Sequence, residues 1–247
     1  MISQFKKGMS LSKSHLKLIT SLSQKKYRQL HKLFVVEGIK VVDEFLSSSY
    51  ELEILFSTES SFSYLDSFVE VSDQELKKIS SLKTPNKVLA LFKIPQEDQL
   101  NSTGLIVALD AINDPGNLGT IIRLCDWFGV DQLICSKDTV DCYNSKVVQA
   151  SMGSLTRTSI LYTDLQEYLN GVSTPIFIAD MDGENVYKEK LPSEAILVMG
   201  NEAKGVSEEI RTIITNKISI PRFGDSQETE SLNVATATAI LLSEFRR

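Results

Sequence analysis

Four short runs of residues, "GLIVALD", "QLICS", "PIFIAD" and "AILVMG", constrain this chain more than anything else in it. Each is continuously apolar, and helical or loop segments separate them. A strand that faces water on one side alternates apolar with polar residues. A strand covered on both sides does not, so runs of this kind predict a parallel sheet with helices on both faces. They begin at Gly104 and extend into the C-terminal half. The expected fold is therefore α/β in residues 104–247.

The first 95 residues read as a separate, smaller α/β unit. Residues 13–33 predict one or two helices, with Leu16, Ile19, Leu22, Leu30 and Leu33 among many basic residues. Phe34–Val36 predicts a short strand broken by Glu37-Gly38, and Ile39, Val42 and Leu46 then fall at helical spacing. "LEILFST" and "KVLALFKIP" predict buried strands. Ser72 with Glu75 three residues on has the capping-box arrangement of a helix start. The polar stretch 95–103, "PQEDQLNST", is the candidate linker, which bounds the units as 1–95 and 104–247, with 96–103 between.

Composition excludes several classes. With 42% hydrophobic and 23% charged residues in 247, the chain has enough apolar material for a core. No run approaches the roughly 18 to 20 apolar residues that span a bilayer, and the N-terminal stretch lacks a secretory apolar region. Cys125, Cys135 and Cys142 are odd in number and lack metal-ligand spacing, so no metal is expected and a reducing cytoplasm is the expected location. The net charge of −6 hides an asymmetry. Residues 1–100 carry 14 Lys+Arg against 12 Asp+Glu, and residues 101–247 carry 12 against 20. Residues 1–40 hold nine basic residues and one acid, Glu37. That suits RNA contact at one end, and it equally suits a solvated helical face.

Three stretches could carry chemistry. In "LDAINDPGNLGTIIRLCDWFG" a strand ends near Asp110, the chain turns at Asp114-Pro115-Gly116-Asn117, and a helix begins, with Asn117 as the expected N-cap. Leu118, Ile121, Ile122, Cys125 and Phe128 form its buried stripe, and Arg123 points away from it. Gly116 and Gly119 do not make the G-x-G-x-x-G turn of a dinucleotide site, so a nicotinamide-dependent oxidoreductase is disfavoured. In "ILVMGNEAKGVSEEI" a strand runs into Gly200 and a polar loop, and a helix capped near Ser207 follows. Val206 stands where a phosphate loop needs lysine, so it is not one. Glu202 either meets a polar ligand or is a solvated acid. In "ISIPRFGDSQETESLNVATATAILLSEFRR" a strand ends at Pro221, and Ser231 is the expected cap of a last helix with Val234, Ala237, Leu241 and Phe245 at core spacing. Its small first turns allow close packing on another element or subunit.

Each stretch is weak alone, but the three in order are specific. "DAINDPGNLGTIIR", "LVMGNEAKGV" and "IPRFG…ESLNVATATAI" resemble the three motifs of the TrmH/SpoU family of SPOUT-class RNA ribose 2′-O-methyltransferases. "FVVEGIKVVDEFL" and "ISSLKTPNKVLALF" resemble that family's substrate-binding domain, a small α/β fold akin to ribosomal proteins. The resemblance implies a SPOUT parallel sheet with a C-terminal trefoil knot, which general topology rules would not suggest. It implies a homodimer acting on RNA, with ribosomal RNA favoured and transfer RNA open, and no membrane partner.

The implied cofactor is S-adenosyl-L-methionine, contacted by Gly200, Ile220 and Leu232 largely through backbone groups. The implied catalytic set is Arg123, Asn117, Glu202, Ser231 and Asn233. An arginine is a poor general base because it stays charged. Arg123 better suits orienting an RNA phosphate and stabilising a forming alkoxide. Asn117 and Glu202 would then organise the loops, and Ser231 and Asn233 would bind substrate or shape the pocket. An inactive RNA-binding assembly factor of the same fold is the alternative. Two features depart from the family pattern. "DSQETE", between Gly224 and Ser231, is longer than the usual connection, and Arg222 follows Pro221 where methionine is usual.

Overall fold

The computed structural model of the chain describes residues 10–96, 99–100, 103–214, 216–224 and 231–247. Lys6 and Lys7, part of the expected linker 96–103 and the Asp225–Glu230 stretch lie outside the described residues. The chain divides into two compact units. One comprises residues 1–96 with 141–156, and the other 97–140 with 157–247.

In the first unit, α1 (Lys13–Ser21) and α2 (Lys25–His31) lead into β1 (Leu33–Glu37), α3 (Ile39–Leu46) and β2 (Leu52–Ser57). Then come β3 (Phe68–Glu70), α4 (Asp73–Ile79) and β4 (Val88–Lys93). The sheet order is β1-β4-β2-β3. β4 is antiparallel to both of its neighbours, and β2 and β3 are parallel. β3 is a strand the sequence pattern did not predict, since three residues are too few to show a period. Ser72 and Glu75 do form a capping box on α4, and Ser12 with His15 forms another on α1.

Alternation along β1 and β4 builds two cores. Leu33, Leu89 and Leu91 point into one with Ile19, Leu22, Ile54, Phe56, Leu76 and Ile79. Phe34 and Phe92 point the other way, into an aromatic cluster with Phe45, Tyr50 and Tyr143. Fully buried side chains such as Phe34, Phe45 and Phe92 each contribute roughly 1.5–3 kcal/mol against chain entropy.

Tyr143 comes from far along the chain. Residues 141–156, which carry α6 (Ser145–Ser151), pack with the first unit even though they lie beyond residue 104. The reason is local chemistry. The Tyr143 ring lies 4.8 Å from that of Phe34. Arg28 is 3% exposed, and its guanidinium donates to Asp141 Oδ2 at 2.8 and 2.5 Å and to the Leu22 and Ser23 carbonyls at 2.8 and 3.1 Å. The second unit is thus interrupted in sequence, where a continuous 104–247 domain was expected.

The second unit is built on β5 (Leu105–Leu109), β6 (Gln132–Ser136), β7 (Ile160–Thr163), β8 (Ile176–Asn185), β9 (Ala195–Met199) and β10 (Asn216–Ser219). Its helices are α5 (Pro115–Phe128), α7 (Leu165–Asn170), α8 (Glu208–Arg211) and α9 (Val234–Phe245). All six strands are parallel, in the order β10-β8-β9-β5-β6-β7. Both faces of the central strands are covered, as their unbroken apolar sequence requires. Ile106, Ala108, Ile134, Ile196 and Val198 pack with Leu165, Leu169 and Ile210 from α7 and α8. The alternate residues Val107, Leu109, Leu133, Cys135 and Leu197 are buried too. α5 packs against α9 and β6. All three cysteines are buried, and none is in a disulfide.

Arg28→Met should lower the unfolding free energy by about 3–5 kcal/mol, because Asp141 and two carbonyls lose their partner in a dry setting. Urea unfolding followed by circular dichroism measures this. A loss of about 1 kcal/mol or less would mean that the pair sits in effectively aqueous surroundings.

Candidate active site

The chain runs β5 to β7 toward one sheet edge and then returns, so that β9 lies on the other side of β5. Between β5 and β9 the strand order reverses, and the crevice at the carboxyl ends of such strands is where open α/β sheets bind ligands. The segments leaving β5, β9 and β10 hold the three candidate stretches.

After β5 the chain is tightly held. The Asp110 amide donates to the Met199 carbonyl at 2.9 Å, and its carboxylate, only 8% exposed, accepts from the Ser207 amide at 2.7 Å. Ala111 sits at φ +55°, a left-handed conformation uncommon outside glycine. Hydrogen bonds on both sides fix it there: its amide donates to Ser136 Oγ at 2.9 Å, and its carbonyl accepts from Asn201 Nδ2 at 2.8 Å.

α5 starts earlier than expected. Its N-cap is Asp114, whose carboxylate accepts from the Asn117 amide at 2.8 Å, and Pro115 occupies the first helical position. Proline's fixed φ suits that position, and its missing N–H costs nothing there. Asn117 is therefore the third helical residue rather than the cap, and its side chain is free for other partners.

The loop after β9 is closed on itself. Asn201 and Gly205 exchange backbone hydrogen bonds at 3.0 and 2.8 Å. Asn201 Oδ1 also accepts from the Ala203 and Lys204 amides. Gly200 has no room for a side chain: a Cβ there would lie 2.2 Å from the Val206 amide nitrogen and 2.3 Å from the Gly205 carbonyl carbon. Arg211 holds the far side, donating to the Val206 carbonyl at 2.9 Å and pairing with the buried Asp180. α8 is only one turn long, and Ser207 makes no side-chain cap.

α9 is capped by Asn233, not by the expected Ser231. Asn233 Oδ1 accepts from the Ala235 and Thr236 amides at 3.0 and 3.2 Å. The second, amino half of that carboxamide reaches Asn117 Oδ1 at 2.8 Å. Asn117 Nδ2 in turn donates to Glu202 Oε1 at 2.6 Å. One carboxamide, spending both its donor and its acceptor, thus joins the segments that follow β5, β9 and β10.

Of the expected site residues, Asn117, Glu202 and Asn233 are brought into this one network. Gly200 ends β9, Ile220 follows β10, and Leu232, half exposed, precedes the Asn233 cap. Arg123 and Ser231 are exposed and, among the described residues, have no hydrogen-bond or ion-pair partner. Arg123 lies six residues along α5 from Asn117, about 9 Å by helical rise. It shares an exposed stripe with Thr120 and with Trp127, which is 83% exposed. Cys125 on the same helix is no nucleophile, because burial pushes its thiol pKa far up and keeps it protonated. Sequence reasoning missed the supports Asp110, Asn201, Asp180 and Arg211. Only the Asp114 cap had a local signal, the Asp-Pro step at the helix start.

Gly200→Ala should force the 201–206 loop to move and cost about 1–3 kcal/mol, read as a lowered Tm. An unchanged Tm would show that the loop is loose.

Comparison with known proteins places the chain in a family. Residues 104–243 match the family model described as the SpoU rRNA Methylase family, and residues 13–90 match the MRM3-like substrate binding domain. The chain is 30% identical over 234 residues to the Bacillus subtilis 23S rRNA (guanosine(2553)-2′-O)-methyltransferase RlmP, spanning 91% of this chain and 93% of that protein. It superposes with TM-score 0.88 and 37% identity on a TrmH-family protein from Porphyromonas gingivalis, over 96% of this chain and 99% of the other. The AdoMet-bound rRNA methyltransferase from Sinorhizobium meliloti gives 0.84 at 27% identity, over 96% and 95%. With the catalytic-domain model covering more than half of its length and a full-length relative at this identity, the chain belongs to the SpoU rRNA methylase family.

Proposed function

We propose that this chain transfers a methyl group from S-adenosylmethionine to a ribose 2′-hydroxyl of ribosomal RNA. The observation that carries the reading is the Glu202–Asn117–Asn233 chain, which ties three loops together at the carboxyl edge of the sheet. The full-length likeness to an enzyme named for 23S rRNA 2′-O-methylation supports the substrate class.

The residues present fit the cofactor. Gly200 brings bare backbone to the end of β9, and no Cβ is tolerated there. Ile220 and Leu232 offer neutral side chains, so recognition falls to main-chain groups. Among the described residues no cluster of His, Cys, Asp and Glu fits a metal ion. When bound, S-adenosylmethionine supplies a methyl group already activated on a sulfonium. The remaining task is to bring a weak nucleophile into line, which is chiefly positioning.

Arg123 takes the electrostatic part in this reading. Its guanidinium holds an RNA phosphate and stabilises negative charge as the 2′-oxygen loses its proton to solvent. Glu202 and Asn117 organise the loops, while Ser231 and Asn233 face the substrate. Arg123 stands apart from the network within one copy. A homodimer that buries Trp127 would carry the stripe holding Arg123 into the interface. The trefoil knot belongs to the same reading: after edge strand β10 the chain returns as α9 to pack on α5. A cytoplasmic location suits three buried cysteines, none of them in a disulfide. An inactive assembly factor would leave the Asn117 network without a purpose.

Purified protein, S-adenosylmethionine and ribosomal RNA from cells lacking the gene should yield a new 2′-O-methylnucleoside by mass spectrometry. Arg123→Ala should lower the rate about 100-fold or more while cofactor affinity by calorimetry stays within about threefold. A tenfold loss of cofactor affinity would contradict the role given to Arg123.

A further inference from the structure

We infer that the outer face of α2, built from Lys26, Tyr27, Leu30 and His31, is a stacking platform for an unpaired RNA base. The inference rests on RNA being the substrate, as proposed above.

Residues 10–36 carry Lys13, Lys17, Lys25, Lys26, Arg28 and Lys32 and no acid. The first carboxylate in the chain, Glu37, is consumed inside the unit: it is 5% exposed and accepts from the Ser81 amide at 3.0 Å, from Ser81 Oγ at 2.6 Å and from Ser80 Oγ. Arg28 is neutralised by Asp141, but within residues 10–36 no carboxylate offsets the lysines of α1 and α2. Polyanion attraction is therefore built in.

α2 is also held rigidly. Arg28 turns inward to two carbonyls and Asp141. Two residues to either side of Arg28, helical geometry places Lys26 and Leu30 on the opposite, outward face. Leu30 is 71% exposed. Beside that pair, Tyr27 and His31 stack with ring centroids 6.4 Å apart and planes 19° from parallel. Lys26 Nζ lies 4.8 Å from the Tyr27 centroid.

A merely solvated basic face does not require two stacked rings and an open leucine. The combination has the chemistry of single-strand recognition: a π face for a base, an apolar edge beside it and a cation for the adjoining phosphate. His31 is the exposed end of the stack, where a base would extend it. A paired base inside a duplex presents no free face, so the platform selects unpaired nucleotides.

The test uses the full chain and fluorescence anisotropy with a labelled single-stranded oligoribonucleotide and the blunt duplex of the same sequence. His31→Ala should weaken single-strand binding about fivefold or more, and His31→Phe should restore it. Duplex binding should change by less than about twofold in both. Lys26→Gln should weaken both probes and flatten the salt dependence. If phenylalanine fails to rescue, or if the duplex suffers equally, the face acts through charge alone and the platform is wrong. If His31→Ala instead abolishes self-association in sedimentation, the face belongs to a second copy of the chain, which also overturns it. Binding is read here without methyl transfer. An inert wild-type enzyme would therefore defeat the proposed function while leaving this comparison decisive.

Discussion

The arrangement at the sheet edge depends on one side chain. Asn117 donates to Glu202 and accepts from Asn233. Only a carboxamide can do both at once in this geometry. A carboxylate would oppose Glu202, and an alanine would remove both side-chain links, to Glu202 and to Asn233. The position becomes available because Asp114 and Pro115 start α5 three residues earlier, relieving Asn117 of the capping role. Asn233 does cap, but with its oxygen only, leaving its amino group for Asn117. Two asparagines and an aspartate thus settle both the helix starts and the joining of the loops.

The supports behind this network are backbone-directed. Asp110 fastens Ser207, Asn201 fastens Ala111, and Arg211 fastens Val206. Each bond runs between segments that leave different strands or follow one another around the β9 loop. The left-handed Ala111 is a strained conformation that these bonds sustain. Such rigidity suits a reaction in which the methyl group is already activated and alignment is what remains to be supplied.

Much of this was legible in the sequence because it is periodic or local. The unbroken apolar runs announced β5, β6, β8 and β9 and a sheet covered on both faces. Leu118, Ile121, Ile122 and Cys125 were readable as the buried stripe of α5. The capping box at Ser72 was readable from two residues. What stayed hidden depends on contacts distant in sequence or on elements too short to show a period. β3 and β7 are three and four residues long. The assignment of residues 141–156 to the first unit rests on Arg28 meeting Asp141 and Phe34 meeting Tyr143, over a hundred positions apart. The caps were misplaced because Asp114, Asn117, Ser231 and Asn233 are all good capping residues. The competing hydrogen bonds of the fold decide among them. The site residues themselves were found by resemblance to three ordered motifs, and the geometry unites Asn117, Glu202 and Asn233 while leaving Arg123 and Ser231 outside that network.

The most direct test of the account is hydrogen–deuterium exchange with and without S-adenosylhomocysteine, the demethylated cofactor. If the network makes one site, amides in 111–118, 200–206 and 231–236, following β5, β9 and β10, should gain protection together in the wild-type protein. In Asn117→Ala at matched saturation, that protection should become uneven among the three. Protection confined to a single segment in the wild type, or an identical pattern in the variant, would contradict the claim that Asn117 binds the three loops into one site.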